Sequence, residues 1–305
     1  MKHNTQFIQD FMKRYEYPEE AIKEFTRVLQ RLDDEEKFGK EFDIFVNGYM
    51  YPEADGLREA LDGVSVLAEK YEENDCTMEF VFLLLCAPIL KERYDEKGID
   101  EQIFWDSAND FRYKLMECIE CEGVPGTFVA GWNDGFFKME RFAYGRFQYE
   151  VCTYMDEEYT LKNGKVLKPG DKYVNFHIPS SGVSLTDDVR LDSYKKAYPH
   201  YKHLFPDGLV VFGCHSWLLY PKHREFLPKH LNILKFMDDF EIISSDENEG
   251  FSNDWRVFGR YTNLPYDQLP QDTSLRKAYA QWLMSGHNGG NGYGFIVFDG
   301  EKIIR

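Results

Sequence analysis

One change of pattern divides this chain and limits what it can fold into. From residue 3 to about 122 apolar side chains recur at helical spacing with almost no strand pattern. After Gly123-Val124-Pro125-Gly126, short β-type runs alternate with turns and helices. The order predicts an α-helical domain over 1–122 and an α/β domain over 123–305. Pro18-Glu19-Glu20 opens a helix whose apolar face carries Ile22, Phe25, Val28 and Leu29. Further helices are expected near 34–48, 56–72, 76–93 and 100–120, with Asp100 capping the last. Only 76–90 is apolar all round, which places it at the centre of a bundle.

The second half reads as a strand from Phe142 to Tyr154, turns at Asn163-Gly164 and Lys168-Pro169-Gly170-Asp171, and a strand at 173–178. A helix at 186–203, a strand at 208–217, a helix at 223–240, strands at 240–244 and 254–260, a helix at 274–285 and a strand at 293–298 follow. Glycines 286, 289, 290, 292 and 294 lie between helix and strand, the wrong order for a phosphate cradle; they read as a helix end and a loop passing close to neighbouring backbone.

Residues 173–221 form two strand-turn-helix units, and each strand ends in a histidine, His177 and His215. Ligands of open sheets bind outside the carboxyl ends of the strands, where helix N-termini offer unpaired N–H groups. Alternation puts Arg146, Gln148 and Glu150 on one face of their strand and Asn175 and His177 on one face of theirs, the pattern of a wet cleft.

Charge sets limits on partners. The 305 residues carry a formal −17, which disfavours nucleic acid and anionic membrane surfaces. Within 193–235, however, Lys195, Lys196, Lys202, Lys222, Arg224, Lys229 and Lys235 outnumber Asp207 and Glu225 by five, and five of eight histidines fall there, so a local anion site is expected. The N-terminal residues lack a signal-peptide core, and the apolar run Phe80–Leu90 is too short to span a membrane. A cytoplasmic location is expected, and six cysteines without a regular framework suit a reducing compartment. Cys118 and Cys121 form a lone CxxC with no second pair, so no metal is expected.

The run Gly145 to Glu150, then His177-Ile178-Pro179-Ser180-Ser181-Gly182, then Cys214-His215-Ser216-Trp217-Leu218-Leu219-Tyr220-Pro221, Asn232-Ile233 and the closing Gly-rich stretch resemble a bacterial family of acyltransferases. Gly98-Ile99-Asp100, Ile103 and Trp105 resemble its N-terminal half. The resemblance implies an α+β or α/β chain in which a helical N-terminal domain precedes a GNAT-like mixed sheet flanked by helices. It also implies an acyl-CoA co-substrate whose pyrophosphate meets the loop 178–185, through Ser180, Ser181, Gly182 and Ser184, and the helix from Thr186. The phosphate loop of the GNAT superfamily has the form Arg/Gln-x-x-Gly-x-Gly/Ala. Here Pro179-Ser180-Ser181-Gly182-Val183-Ser184 departs from it, and Asp187 and Asp188 follow in the first helical turn, where they repel phosphate.

Acyl transfer to an amine needs a neutral amine, donors for an oxyanion and a proton for the leaving thiolate. Neutralising a lysine-like ammonium at pH 7 costs about 4–5 kcal/mol, so the base matters more than the acid. His177 and Glu150 are the candidate bases and Ser216 a proton donor or water anchor, with Arg146, Gln148, Asn175, Cys214 and His215 lining the substrate cleft. The acceptor is expected to be a small-molecule or peptide amine; a homodimer stays open. Two other functions fit the residues: a Cys/His acyl hydrolase or transferase with Cys214 as nucleophile, and a non-catalytic ligand-binding scaffold.

Overall fold

The computed structural model of the chain describes residues 2–51, 56–247 and 249–305. It consists of two compact units, Met1–Glu140 and Arg141–Arg305.

The first unit is helical: α1 Gln6–Arg14, α2 Glu19–Asp34, α3 Glu36–Met50, α4 Leu57–Lys70, α5 Asp75–Glu96, α6 Glu101–Ala108, α7 Asp110–Glu122 and α8 Asp134–Phe137. Helix α5 is its centre. Phe80 to Ala87 are buried on every side, as an all-apolar helix requires, and the helix runs on through Pro88. Asp100 caps α6 by accepting from Gln102 N at 2.8 Å, as expected, but the helix breaks at Asn109 into α6 and α7. The unit extends past the 123–126 breaker because that segment returns to α5. Thr127 N donates to Cys76 O at 3.0 Å, Thr77 Oγ1 donates to Pro125 O at 2.7 Å, and Phe136 and Phe137 are buried. Among the described residues no helix is long and apolar enough to cross a membrane.

The second unit is a mixed sheet flanked by helices. Its elements are β1 Arg141–Tyr144, β2 Phe147–Thr153, β3 Tyr159–Thr160, β4 Val166–Leu167, β5 Lys172–His177, α9 Asp187–Tyr201, β6 Val210–Ser216, α10 His223–Phe226, α11 Asn232–Met237, β7 Glu241–Glu247, α12 Trp255–Phe258, α13 Ser274–Met284, β8 Gly290–Phe298 and β9 Ile303–Ile304. The sheet order is β1-β2-β5-β6-β8-β7, with β9 beside β8, while β3 and β4 pair separately. Only β5 and β6 run parallel among the described strands, and α9 makes the crossover between them. Phe147, Tyr149, Val174, Phe176, Val210 and Phe212 belong to the main core with Tyr194, Ala197 and Tyr201 of α9. Ser193 of α9 ties the β1–β2 hairpin down, bonding Phe147 N at 3.1 Å and the Tyr149 hydroxyl at 2.8 Å. The turn at Gly145 needs glycine: φ is +63°, and a Cβ would stand 3.1 Å from Ser193 Cα.

Four expectations for this half change. The 142–154 strand is a hairpin, because Gly145 and Arg146 turn the chain. The 223–240 helix is two short helices, because Pro228 interrupts it. Residues 254–260 form α12 and a 3₁₀ turn in place of a strand, with Asp254 Oδ1 accepting from Trp255 N at 2.8 Å. Glycines 290, 292 and 294 lie inside β8 rather than in a loop, and their close packing is as expected: Cβ atoms there would strike the carbonyls of Asp246, Leu219 and Glu241.

Candidate active site

Strands β5 and β6 pair at only two positions, Val174 with Phe212 and Asn175 with Gly213. Beyond that point β5 continues to His177 and β6 to Ser216, while β6 stays paired to β8 as far as Ser216 with Gly292. The parallel junction of β5 with β6 therefore parts at the carboxyl ends of its strands, where the crevice of an open sheet holds its ligand. At Gly213 the Tyr173 ring lies across the strand; a Cβ would come 2.6 Å from it and 2.9 Å from Phe295.

A polar cluster stands on the face away from α9. Register pairs Gln148 with His177, Glu150 with Asn175 and Arg141 with Glu150. Glu150 Oε1 lies 2.6 Å from His177 Nε2, and the Asn175 amide lies 3.1 Å from the same nitrogen. Glu150 Oε2 accepts from Arg141 Nε at 2.9 Å and pairs with Arg141 Nη2 at 2.8 Å. Burial alone would raise the Glu150 carboxyl, but hydrogen bonding and charge from His177, with Arg141 behind, outweigh it and hold the group at about 2. Glu150 is thus ionised at neutral pH and can only accept, so Nε2 carries the proton of the pair. The His177 and Glu150 side chains remain 22% and 20% exposed.

The loop after β5 is fixed from both flanks. Arg146 donates to Pro179 O at 2.7 Å and Val183 O at 3.0 Å; Asn232 Nδ2 donates to Ser184 Oγ at 2.6 Å. Gly182 takes φ +75°, and Ser181 Oγ accepts from Val183 N at 3.3 Å. Arg190 donates to Leu185 O at 2.6 Å and pairs with Asp239 at 2.7 Å. The Asp188 carboxyl is held below its usual value by the Thr186 hydroxyl and by N–H groups of Asp188 and Val189, so the first turn of α9 already holds an anion of its own.

Residues 142–296 match the GNAT-like C-terminal domain, and residues 6–139 match the N-acyltransferase N-terminal domain. The chain belongs to this family of two-domain acyltransferases. Its fold is also similar to solved acyltransferase structures. One, in complex with decanoyl-CoA and teicoplanin, is 21% identical with a TM-score of 0.71, over 96% of this chain and 88% of that one. A mutant in complex with octanoyl-CoA is 20% identical with a TM-score of 0.71, over 95% and 87%. A third, with decanoyl-CoA, is 20% identical with a TM-score of 0.60, over 94% and 98%. No curated protein matches the chain.

In this acyltransferase the expected residues separate into three places. Glu150, His177, Asn175 and Gln148 meet on one sheet face, joined by Arg141, which the sequence reading missed. Arg146 belongs to the loop with Ser180, Ser181, Gly182 and Ser184. Cys214 and Ser216 share the strand parity of buried Phe212 and point away from His177; Cys214 is 1% exposed and burial pushes its thiol up, while Ser216 Oγ accepts from Leu218 N at 3.2 Å. His215 lies on the Asn175 side. The basic window 193–235 does not gather into one anion site. Lys195 pairs with Glu301, Lys196 with Asp192, Lys222 with Glu247 and Arg224 with Asp238, and His223 is buried against Tyr279, with burial lowering it to about 3.

Proposed function

We propose that this protein transfers an acyl group from acyl-CoA directly to an amine, with His177 as the general base. The observation that carries the reading is the Glu150–His177 pair at the mouth of the parting between β5 and β6. His177, held by Glu150 at Nε2, takes the amine proton. The ionised Glu150 fixes the imidazole and stabilises the imidazolium that forms; Arg141 holds Glu150 in place. A base within reach offsets much of the about 4–5 kcal/mol needed to present a lysine-like amine in neutral form at pH 7.

The thioester lies in the parting, and its phosphates meet the loop 178–185, where Ser180, Ser181, Gly182 and Ser184 offer hydroxyl and N–H groups. The Asp188 carboxylate at the start of α9 opposes the pyrophosphate, so the loop rather than the helix end carries the phosphate contact. The solved acyltransferases with decanoyl-CoA, and with decanoyl-CoA and teicoplanin, support a medium-chain donor and a small-molecule or peptide amine acceptor. The geometry at Cys214 gives the hydrolase reading no support, since a buried thiol on the opposite face cannot share a substrate with His177.

The test is incubation with decanoyl-CoA and a panel of primary amines that includes a glycopeptide amine, read as amide by mass spectrometry. Stabilisation by decanoyl-CoA gives a second readout: about 2.7 kcal/mol at a hundredfold excess over Kd, several degrees of Tm for units of this size. Absence of both amide and stabilisation at millimolar decanoyl-CoA overturns the reading in favour of a scaffold.

A further inference from the structure

His177 has a counterpart across the parting. Asn175 and Gly213 are the last paired residues of β5 and β6, and the side chains two positions further, His177 and His215, return to the same face at the same end of the sheet. His215 has no role in the reading above, yet it is built in the same manner as His177. Its Nε2 lies 3.3 Å from Asp246 Oδ2 on β7, and Asp246 Oδ1 accepts from Asn291 Nδ2 at 3.0 Å on β8. Asn253 Nδ2 donates in turn to Asn291 Oδ1 at 3.3 Å. A carboxylate that is itself held thus orients each imidazole, one from either side of the crevice. The edge of Tyr293 packs beside His215 at 6.1 Å, and the His215 side chain is 58% exposed.

We propose that His215, oriented by Asp246, is the acid that protonates the sulfur of CoA as it leaves. The assignment rests on the acyl-transfer reading. The amine lone pair forms the C–N bond, and the C–S bond breaks with its electron pair going to sulfur. The amine proton passes to His177, and sulfur takes a proton from His215. One histidine ends a proton richer and the other a proton poorer; the exposed position of His215 lets solvent restore it. Ser216, the donor expected from sequence, faces the core side of β6 and is engaged by Leu218 N. An acid placed on β6 must stand on the Asn175 face, and His215 does.

The experiment uses decanoyl-CoA with hydroxylamine as the amine probe, reading thiol release across pH for wild type, His215→Gln and Asp246→Asn. General acid loss costs roughly a hundredfold at the low end of its range, which suits a leaving group that is already stable as thiolate. His215→Gln is expected to lower kcat by that factor, to keep decanoyl-CoA stabilisation, and to abolish the fall of kcat at alkaline pH. Asp246→Asn is expected to lose less, because the imidazole stays in place and only the carboxylate that orients it is gone. A His215→Gln enzyme within twofold of wild type, or one that is slower with an unchanged pH profile, overturns the assignment. Wild type that releases no thiol overturns the acyl-transfer reading itself, a distinct result.

Discussion

The carboxylate of Glu150 bridges an imidazole and a guanidinium: Oε1 lies 2.6 Å from His177 Nε2, and Oε2 lies 2.8 Å from Arg141 Nη2. Three strands meet in that contact, because β2 carries Glu150 between β1 and β5. The pair therefore ties three strands together in addition to the chemical role proposed for it.

Its first consequence is acid sensitivity. The Glu150 carboxyl is held at about 2 against an ordinary 4.5, so its stabilisation is complete above pH 4.5 and disappears as pH falls through about 2. Discounted for partial exposure, this amounts to about 1–2 kcal/mol. Glu150→Gln should be less stable at pH 7 and should lose less of its Tm than wild type between pH 5 and pH 2. Thermal melts across that range measure it.

Asp188 gives a prediction of opposite signs. Its carboxylate stabilises the start of α9 and opposes the phosphates proposed to lie beside it. Asp188→Asn should lower Tm slightly while tightening decanoyl-CoA binding a few-fold, as read by calorimetry. Weaker binding would contradict the phosphate placement.

At Gly213 the backbone makes room for a ring. A methyl group there would meet Tyr173 at 2.6 Å and Phe295 at 2.9 Å. Gly213→Ala should destabilise by about 1–3 kcal/mol, the range for overpacking, and appear as a lower denaturation midpoint.

Cys214 distinguishes direct transfer from a covalent route. Buried on the core face with its thiol pushed up, it is a packing residue. Cys214→Ala should retain turnover within a few-fold, and intact-mass spectra of wild type with decanoyl-CoA should show no acyl adduct.

The sequence carried much of this, for physical reasons that are easy to name. Strand alternation was enough to align Glu150 with Gln148 and His177 with Asn175, since period two is a local property. Arg141 escaped notice because its partner depends on the hairpin register, and that register follows from the positive φ of Gly145. A glycine before an arginine between two aromatic runs was the available signal. The basic window misled because lysines close in sequence turn to different sides of helices and strands, where acids from Asp192 to Glu301 meet them. Glycines of β8 looked like a loop because their role, close contact with carbonyls of chain segments far away in sequence, is not local at all.

The central claim is that His177 removes the amine proton. The most direct measurement is amide formation from decanoyl-CoA by His177→Ala beside wild type, with decanoyl-CoA binding followed in parallel by thermal shift. A fall in kcat of roughly a hundredfold or more with binding held within a few-fold is expected, the scale of a removed general base. Turnover within a few-fold of wild type would contradict it.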